Sequence, residues 1–187
     1  TMCIAVNQQN EEVMAIQNGV ANYRYLDKLS FSDRLYEILW EFEDYRRKGN
    51  PSGHSVVQRF EYWKAALNII KENKIIGVGT GDVAAAYKEQ YVKMKSPLEE
   101  RFRKRAHNQY LTIAVTFGVV GFVWFLFSVF YPLAVHRFKT GYLYAAFLVI
   151  VLLSFISEDT LESQAGLTFF AFFNSFFLFC NKSLSKE

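Results

Sequence analysis

Four kinds of residue in this chain could act on a substrate: a histidine, a set of cations, three acids and a glycine-rich turn. His107 follows Arg101, Arg103, Lys104 and Arg105 and precedes Asn108-Gln109-Tyr110. An imidazole with an ordinary pKa of about 6.5 is largely uncharged near neutral pH, where it can take a proton from a hydroxyl or accept its hydrogen bond. A guanidinium offers a planar fork of donors that matches the oxygens of a phosphate. Arg59, one helical turn before Trp63, supplies either such a fork or a cation stacked on the indole or snorkelling to solvent. Arg101, Arg103 and Lys104 read first as juxtamembrane anchors, with Arg105 set apart because it neighbours His107. The acids Glu158, Asp159 and Glu162 read as a solvated turn; the alternative is that one of them pairs with an arginine or with His107 and sets its tautomer.

The glycine-rich stretch Gly77-Val78-Gly79-Thr80-Gly81-Asp82 is no nucleotide motif. A dinucleotide fingerprint would need glycine where Asp82 stands, and a P-loop would need a Lys-Ser or Lys-Thr pair. The expectation is a tight turn whose backbone approaches a neighbour closely. Around these pieces the pattern predicts helices. Ser32 caps one that carries Leu35, Ile38, Leu39, Phe42 and Tyr45 and stops at Gly49-Asn50-Pro51. A second runs from Ser55 to Glu72, with Phe60, Trp63, Leu67 and Ile70 on one face. A third, capped by Asp82, runs from Val83 to about Lys95, and a fourth starts at Ser96-Pro97 and passes through His107 into the apolar region.

That apolar region sets the class of the protein. Of the 39 Asp, Glu, Lys and Arg residues, 31 lie in positions 1–109, whereas 15 of the 19 Phe residues lie between Phe117 and Phe179. No soluble fold of 187 residues hides so many contiguous apolar side chains. Uncharged windows at 110–135, 141–157 and 164–181 predict three transmembrane helices, the first about 39 Å long if straight. Their connections, His136-Arg137-Phe138-Lys139 and Glu158 to Glu162, read as tight surface turns. Arg137, Lys139, Lys182 and Lys186 then share one side of the bilayer; the cluster at 101–105 and the acidic turn share the other. Charge alone does not choose which side is cytoplasmic. A net charge of +3 gives no argument for nucleic acid, and Cys3 and Cys180, at opposite ends, make neither a disulfide framework nor a cysteine zinc site. The opening residues lack the charged and apolar regions of a signal peptide.

Four segments in order, Arg59-Phe60-Glu61-Tyr62-Trp63-Lys64, the glycine turn 77–82, Arg105-Ala106-His107-Asn108-Gln109-Tyr110-Leu111 and Ser157 to Gly166, closely resemble the C-terminal part of the bacterial O-antigen ligase and polymerase superfamily. The resemblance covers about Ser55 to Phe179. It implies an all-α, polytopic inner-membrane glycosyltransferase of GT-C-like fold: a polar region at 1–54, a helical periplasmic loop at 55–109, three membrane helices and a cytoplasmic tail at 182–187. It also implies transfer of a glycan from undecaprenyl diphosphate to a lipid A-core sugar or another glycan, with no metal, nucleotide or other cofactor. In that family the acceptor hydroxyl attacks the anomeric carbon as the diphosphate departs. His107 would orient or deprotonate the acceptor, Arg59 and Arg105 would bind the diphosphate, and Asn108, Glu158, Asp159 and Glu162 would support them.

The family has about a dozen spans and a further arginine from an earlier loop or helix, for which Arg24 and Arg34 are available without a motif to support either. The expectation is therefore a C-terminal fragment or truncated product. A polymerase or a protein-directed oligosaccharyltransferase would differ only in acceptor. A non-catalytic membrane adaptor, binding a protein through the helix from Ser32 to Lys48, belongs to a different class.

Overall fold

The computed structural model describes residues 31–135 and 142–180, which form helices and loops with no strand among them. The helices are α1 (Phe31–Lys48), α2 (Ser55–Glu72), α3 (Val83–Lys93), α4 (Gln109–Val135), α5 (Tyr142–Ser157) and α6 (Gln164–Cys180). Single 3-10 turns lie at Glu100–Phe102 and Thr160–Glu162. The cations Arg24, Arg137, Lys139, Lys182 and Lys186 lie outside the described residues. The chain folds as two compact units, of which the first comprises residues up to Phe60 with Pro97–Phe102, and the second Glu61–Ser96 with the chain from Arg103 on.

In the first unit α1 ends as its sequence demands. Gly49, at φ +69°, donates its N–H to Tyr45 O over 2.7 Å, the left-handed stop that glycine adopts without a Cβ penalty. Glu41, nearly fully buried, accepts the Val56 N–H at 2.8 Å and the Ser55 N–H at 3.2 Å. A carboxylate thereby satisfies two of the orphan donors at the start of α2 and meets the positive end of its dipole. The apolar stripe of α1 is not a core: Leu35, Leu39 and Phe42 are exposed.

In the second unit the buried face of α2 is Tyr62, Ala65, Ala66 and Ile69, while Leu67, expected on that face, is half exposed. The small alanines let neighbouring backbone approach. Helix α3 buries Val83, Tyr87, Gln90 and Tyr91; Asp82 occupies its N-cap position but its side chain makes no capping bond. The helix expected from Ser96 through His107 does not form. Ser96 Oγ instead donates to the buried Glu61 carboxylate at 3.1 Å, and His107 has φ +46°, which no right-handed helix accommodates. Residues 103–108 are non-helical loop.

Helix α4 is the one described helix long and apolar enough to cross a membrane, and α5 and α6 are apolar but shorter. It is also broken, against the expectation of a straight span. Gly118, at φ +63° and ψ −163°, separates α4a (109–117) from α4b (119–135), about 13 and 25 Å long. Tyr110 and Phe125 would stand some 22 Å apart in a continuous helix, yet their rings are 6.4 Å apart and both pack against Phe155 at 6.0 Å.

The glycine turn fills the break. In an unbroken helix the N–H groups of Val119 and Val120 would bond the carbonyls of Val115 and Thr116. Here Val119 N–H donates to Lys74 O (2.8 Å) and Val120 N–H to Ile75 O (3.3 Å). Val78 N–H and Gly79 N–H donate to Val115 O and Thr116 O, both at 2.9 Å. Four backbone groups orphaned by the break are thus satisfied by one loop. The expectation that this turn brings its backbone close to a neighbour is met here.

Below the break, Tyr144, Phe147, Val151 and Phe155 of α5 form a core flanked by Phe125 and Leu133 of α4b and by Phe170, Phe173 and Phe177 of α6. The opposite side of α6, with Phe169, Phe172, Phe176 and Phe179, is exposed, as are Val119, Val120, Val123 and Trp124 of α4b.

Candidate functional site

The site is built on the loop 103–108 of the second unit. Two aromatic side chains hold that loop by alternate carbonyls: Tyr91 OH donates to Lys104 O at 2.6 Å, and Trp63 Nε1–H donates to Ala106 O at 3.0 Å. Ala106 is completely buried. Arg105 and His107, flanking the buried Ala106, both reach the acidic turn. His107 sits in the left-handed backbone region, a conformation few non-glycine residues hold without support.

The three acids of the turn after α5 face different partners. His107 Nδ1 stands 3.8 Å from Glu158 Oε2, an ion-pair distance longer than a hydrogen bond. Arg105 Nη1 meets Glu162 Oε2 at 2.5 Å. Asp159 Oδ1 accepts from Thr112 Oγ1 at 2.7 Å and from the Asn108 N–H at 3.1 Å, which places a carboxylate at the N-terminus of α4 where the helix dipole favours it. Asp159 and Glu162 thus have specific N–H/O–H and guanidinium partners, whereas Glu158, more than half exposed, remains a solvated turn residue that also approaches His107. Asn108 completes the junction. Its Oδ1 caps α4 by accepting the Leu111 N–H at 3.0 Å, and its Nδ2 donates to Ile156 O at 2.9 Å. Gln109 is buried and accepts the Leu161 N–H at 2.8 Å.

Behind the loop lie two buried phenols. Burial pushes Tyr91 up from the ordinary tyrosine range, with small further rises from Tyr87, Tyr62 and Glu61. Tyr87 is also raised, first by burial and then by the carboxylates of Asp159 and Glu162, against the opposing Ala106 backbone amide and Arg105. Its hydroxyl approaches Ala106 without hydrogen-bond geometry.

The structure brings together His107, Arg105, Asn108, Glu158, Asp159 and Glu162. Arg59 belongs to the first unit. Arg101, in the first unit, pairs with Glu99 at 2.9 Å and lies 4.7 Å above the Phe102 ring, and Arg103, in the second, lies 6.0 Å above the Tyr91 ring. Sequence reading missed Tyr91, Thr112 and Gln109 and gave Trp63 a different task. Their only signal was a polar atom on an apolar or helical stretch, and nothing in the spacing named the partner.

Residues 3–126 match the sequence model of the O-antigen ligase family. That stretch begins well before Ser55, includes the glycine turn, the loop at 103–108 and the break in α4, and stops before the acidic turn. No curated protein and no solved structure matches the chain.

Proposed function

Because the chain belongs to the O-antigen ligase family, whose members are membrane proteins handling lipid-linked glycans, we propose that it forms the C-terminal part of a ligase that moves a glycan from undecaprenyl diphosphate to a lipid A-core sugar. In this reading α4b, α5 and α6 cross the inner membrane and the residues from 55 to 109 face the periplasm. The observation that carries the reading is the adjacency of His107 and Arg105, each oriented by its own glutamate, at the end of the apolar helix α5.

The chemistry follows from that adjacency. With Nδ1 turned to Glu158, Nε2 is the nitrogen that meets an acceptor hydroxyl. The hydroxyl oxygen bonds to the anomeric carbon, the bond from that carbon to the diphosphate breaks, the diphosphate keeps the electron pair, and the proton passes to Nε2. Cations hold the departing charge. Arg105 contributes one edge of its guanidinium while Glu162 holds another, and Arg59 supplies a second fork. The step needs no metal, because a diphosphate is already a competent leaving group when its charge is matched by arginines.

The test uses the protein expressed from its complete reading frame, in membranes that supply lipid-linked glycan and lipid A-core. His107→Ala abolishes transfer while the protein remains in the membrane; unchanged transfer sinks the assignment. Arg59→Lys loses nearly as much activity as Arg59→Ala, since an ammonium cannot reproduce a bidentate contact. Full activity of the lysine variant returns Arg59 to stacking or solvation.

A further inference from the structure

We infer that Trp63 and Tyr91 are positioning residues for His107, a role that rests on the assignment of His107 as the base and goes beyond it. His107 is held in a left-handed backbone conformation, φ +46°, that costs free energy and persists only where its neighbours over-determine it. On its C-terminal side that constraint is Asn108, fixed through its N–H, its Oδ1 and its Nδ2 to Asp159, Leu111 and Ile156. On its N-terminal side the tethers are the two aromatic donors, Trp63 Nε1–H on the Ala106 carbonyl and Tyr91 OH on the Lys104 carbonyl.

These tethers come from different helices, α2 and α3, and grip alternate residues of one loop segment. Together they fix its translation and its rotation about the chain axis. Ala106 has no exposed surface, so its carbonyl, deprived of the indole, would be a buried acceptor in need of a new partner. The backbone then relaxes away from φ +46° and carries the imidazole with it. Tyr62 is the neighbouring ring, its centroid 6.0 Å from that of His107, and it bounds the imidazole on the α2 side. A donor one and three residues upstream of the base therefore sets the distance from His107 to Glu158 without touching substrate. Position matters steeply here, since a displacement of about 1 Å at a reacting group costs on the order of 100-fold in rate.

Trp63→Phe and Tyr91→Phe remove the donors and keep an aromatic ring in place. In the protein expressed from its complete reading frame and assayed in membranes, each lowers kcat per folded molecule about ten-fold or more. The KM for lipid-linked glycan changes less than kcat, because Arg105, though it lies between the two tethered carbonyls, is also held through its side chain by Glu162. A role confined to stability lowers only the amount of folded protein and leaves kcat per molecule unchanged. That result for both variants, with His107→Ala inactive, overturns the inference while leaving the base assignment standing. Transfer by His107→Ala overturns both. Should Trp63→Phe fail to accumulate, Tyr91→Phe, which removes a single oxygen atom, decides the question alone.

Discussion

Gly77 and Gly118 meet backbone to backbone: a β-carbon on Gly77 would stand 2.6 Å from the Gly118 nitrogen, and one on Gly118 would stand 2.6 Å from the Gly77 nitrogen. Both residues have positive φ, +75° and +63°. The neighbours are backbone atoms that cannot swing aside, so Gly77→Ala and Gly118→Ala each destabilise the second unit by about 2–4 kcal/mol. The two sites share one contact, so the double variant costs less than the sum. Gly79 is the control. It has φ +84° but open space around its missing side chain, so Gly79→Ala costs only the backbone term, on the order of 1 kcal/mol. Thermal unfolding in detergent ranks the three, and a Gly77 variant no worse than the Gly79 variant would show that the loop is not spliced into α4.

The helices α1 and α2 were legible because their ends are written in local chemistry: Gly49-Asn50-Pro51 stops one, and Ser55 begins the next at its expected residue. The close approach of the glycine turn was legible too, since three glycines in five positions have few other uses. Its partner was not. Gly118 lies in an uncharged run where a glycine is compatible with an ordinary membrane helix, and only the exchange of four hydrogen bonds shows that the helix breaks there. The loop at 103–108 was misread as helix for the same reason. Its cations and Ala106 suit a helix, and the bonds that override that preference come from Trp63 and Tyr91, 43 and 13 residues away in the chain. His107 and Arg105 were singled out by their types and order, but the division of partners among Glu158, Asp159 and Glu162 depends on which residues each one faces.

The buried phenols set the alkaline limit of stability. Burial raises both Tyr87 and Tyr91 above the unfolded tyrosine value of about 10. The folded state favours the protonated phenol, so their contribution is complete below about pH 10 and is lost as pH rises further, because the unfolded chain ionises first. Melting temperature is therefore expected to stay level on this account up to about pH 10 and then to fall. In a protein carrying both Tyr87→Phe and Tyr91→Phe the fall is shallower. Tyrosinate absorbance should show two phenols that ionise only on unfolding; ordinary titration of all the tyrosines in the folded protein would contradict the burial of this pair.

Asp159 and Glu158 are neighbours in sequence with opposite expected signatures. Asp159 accepts two hydrogen bonds from the first turn of α4 and faces its dipole, so Asp159→Asn, which leaves an amide where a carboxylate stood, costs about 1.5–3 kcal/mol of stability. Thr112→Val removes one of the same bonds, and the pair couples in a double-mutant cycle. Glu158 is more than half exposed and stands 3.8 Å from His107; Glu158→Gln changes stability by no more than about 0.5 kcal/mol. Its effect falls on turnover, because the carboxylate that favours a proton on Nδ1 keeps Nε2 open to accept one. A glutamine can still accept a hydrogen bond but does not stabilise the charged imidazolium, so kcat falls while KM for the lipid-linked glycan holds, by about ten-fold on the scale of general base assistance. A Glu158→Gln protein that melts early with unchanged turnover, beside an Asp159→Asn protein that melts normally, would reverse the roles assigned to the two acids.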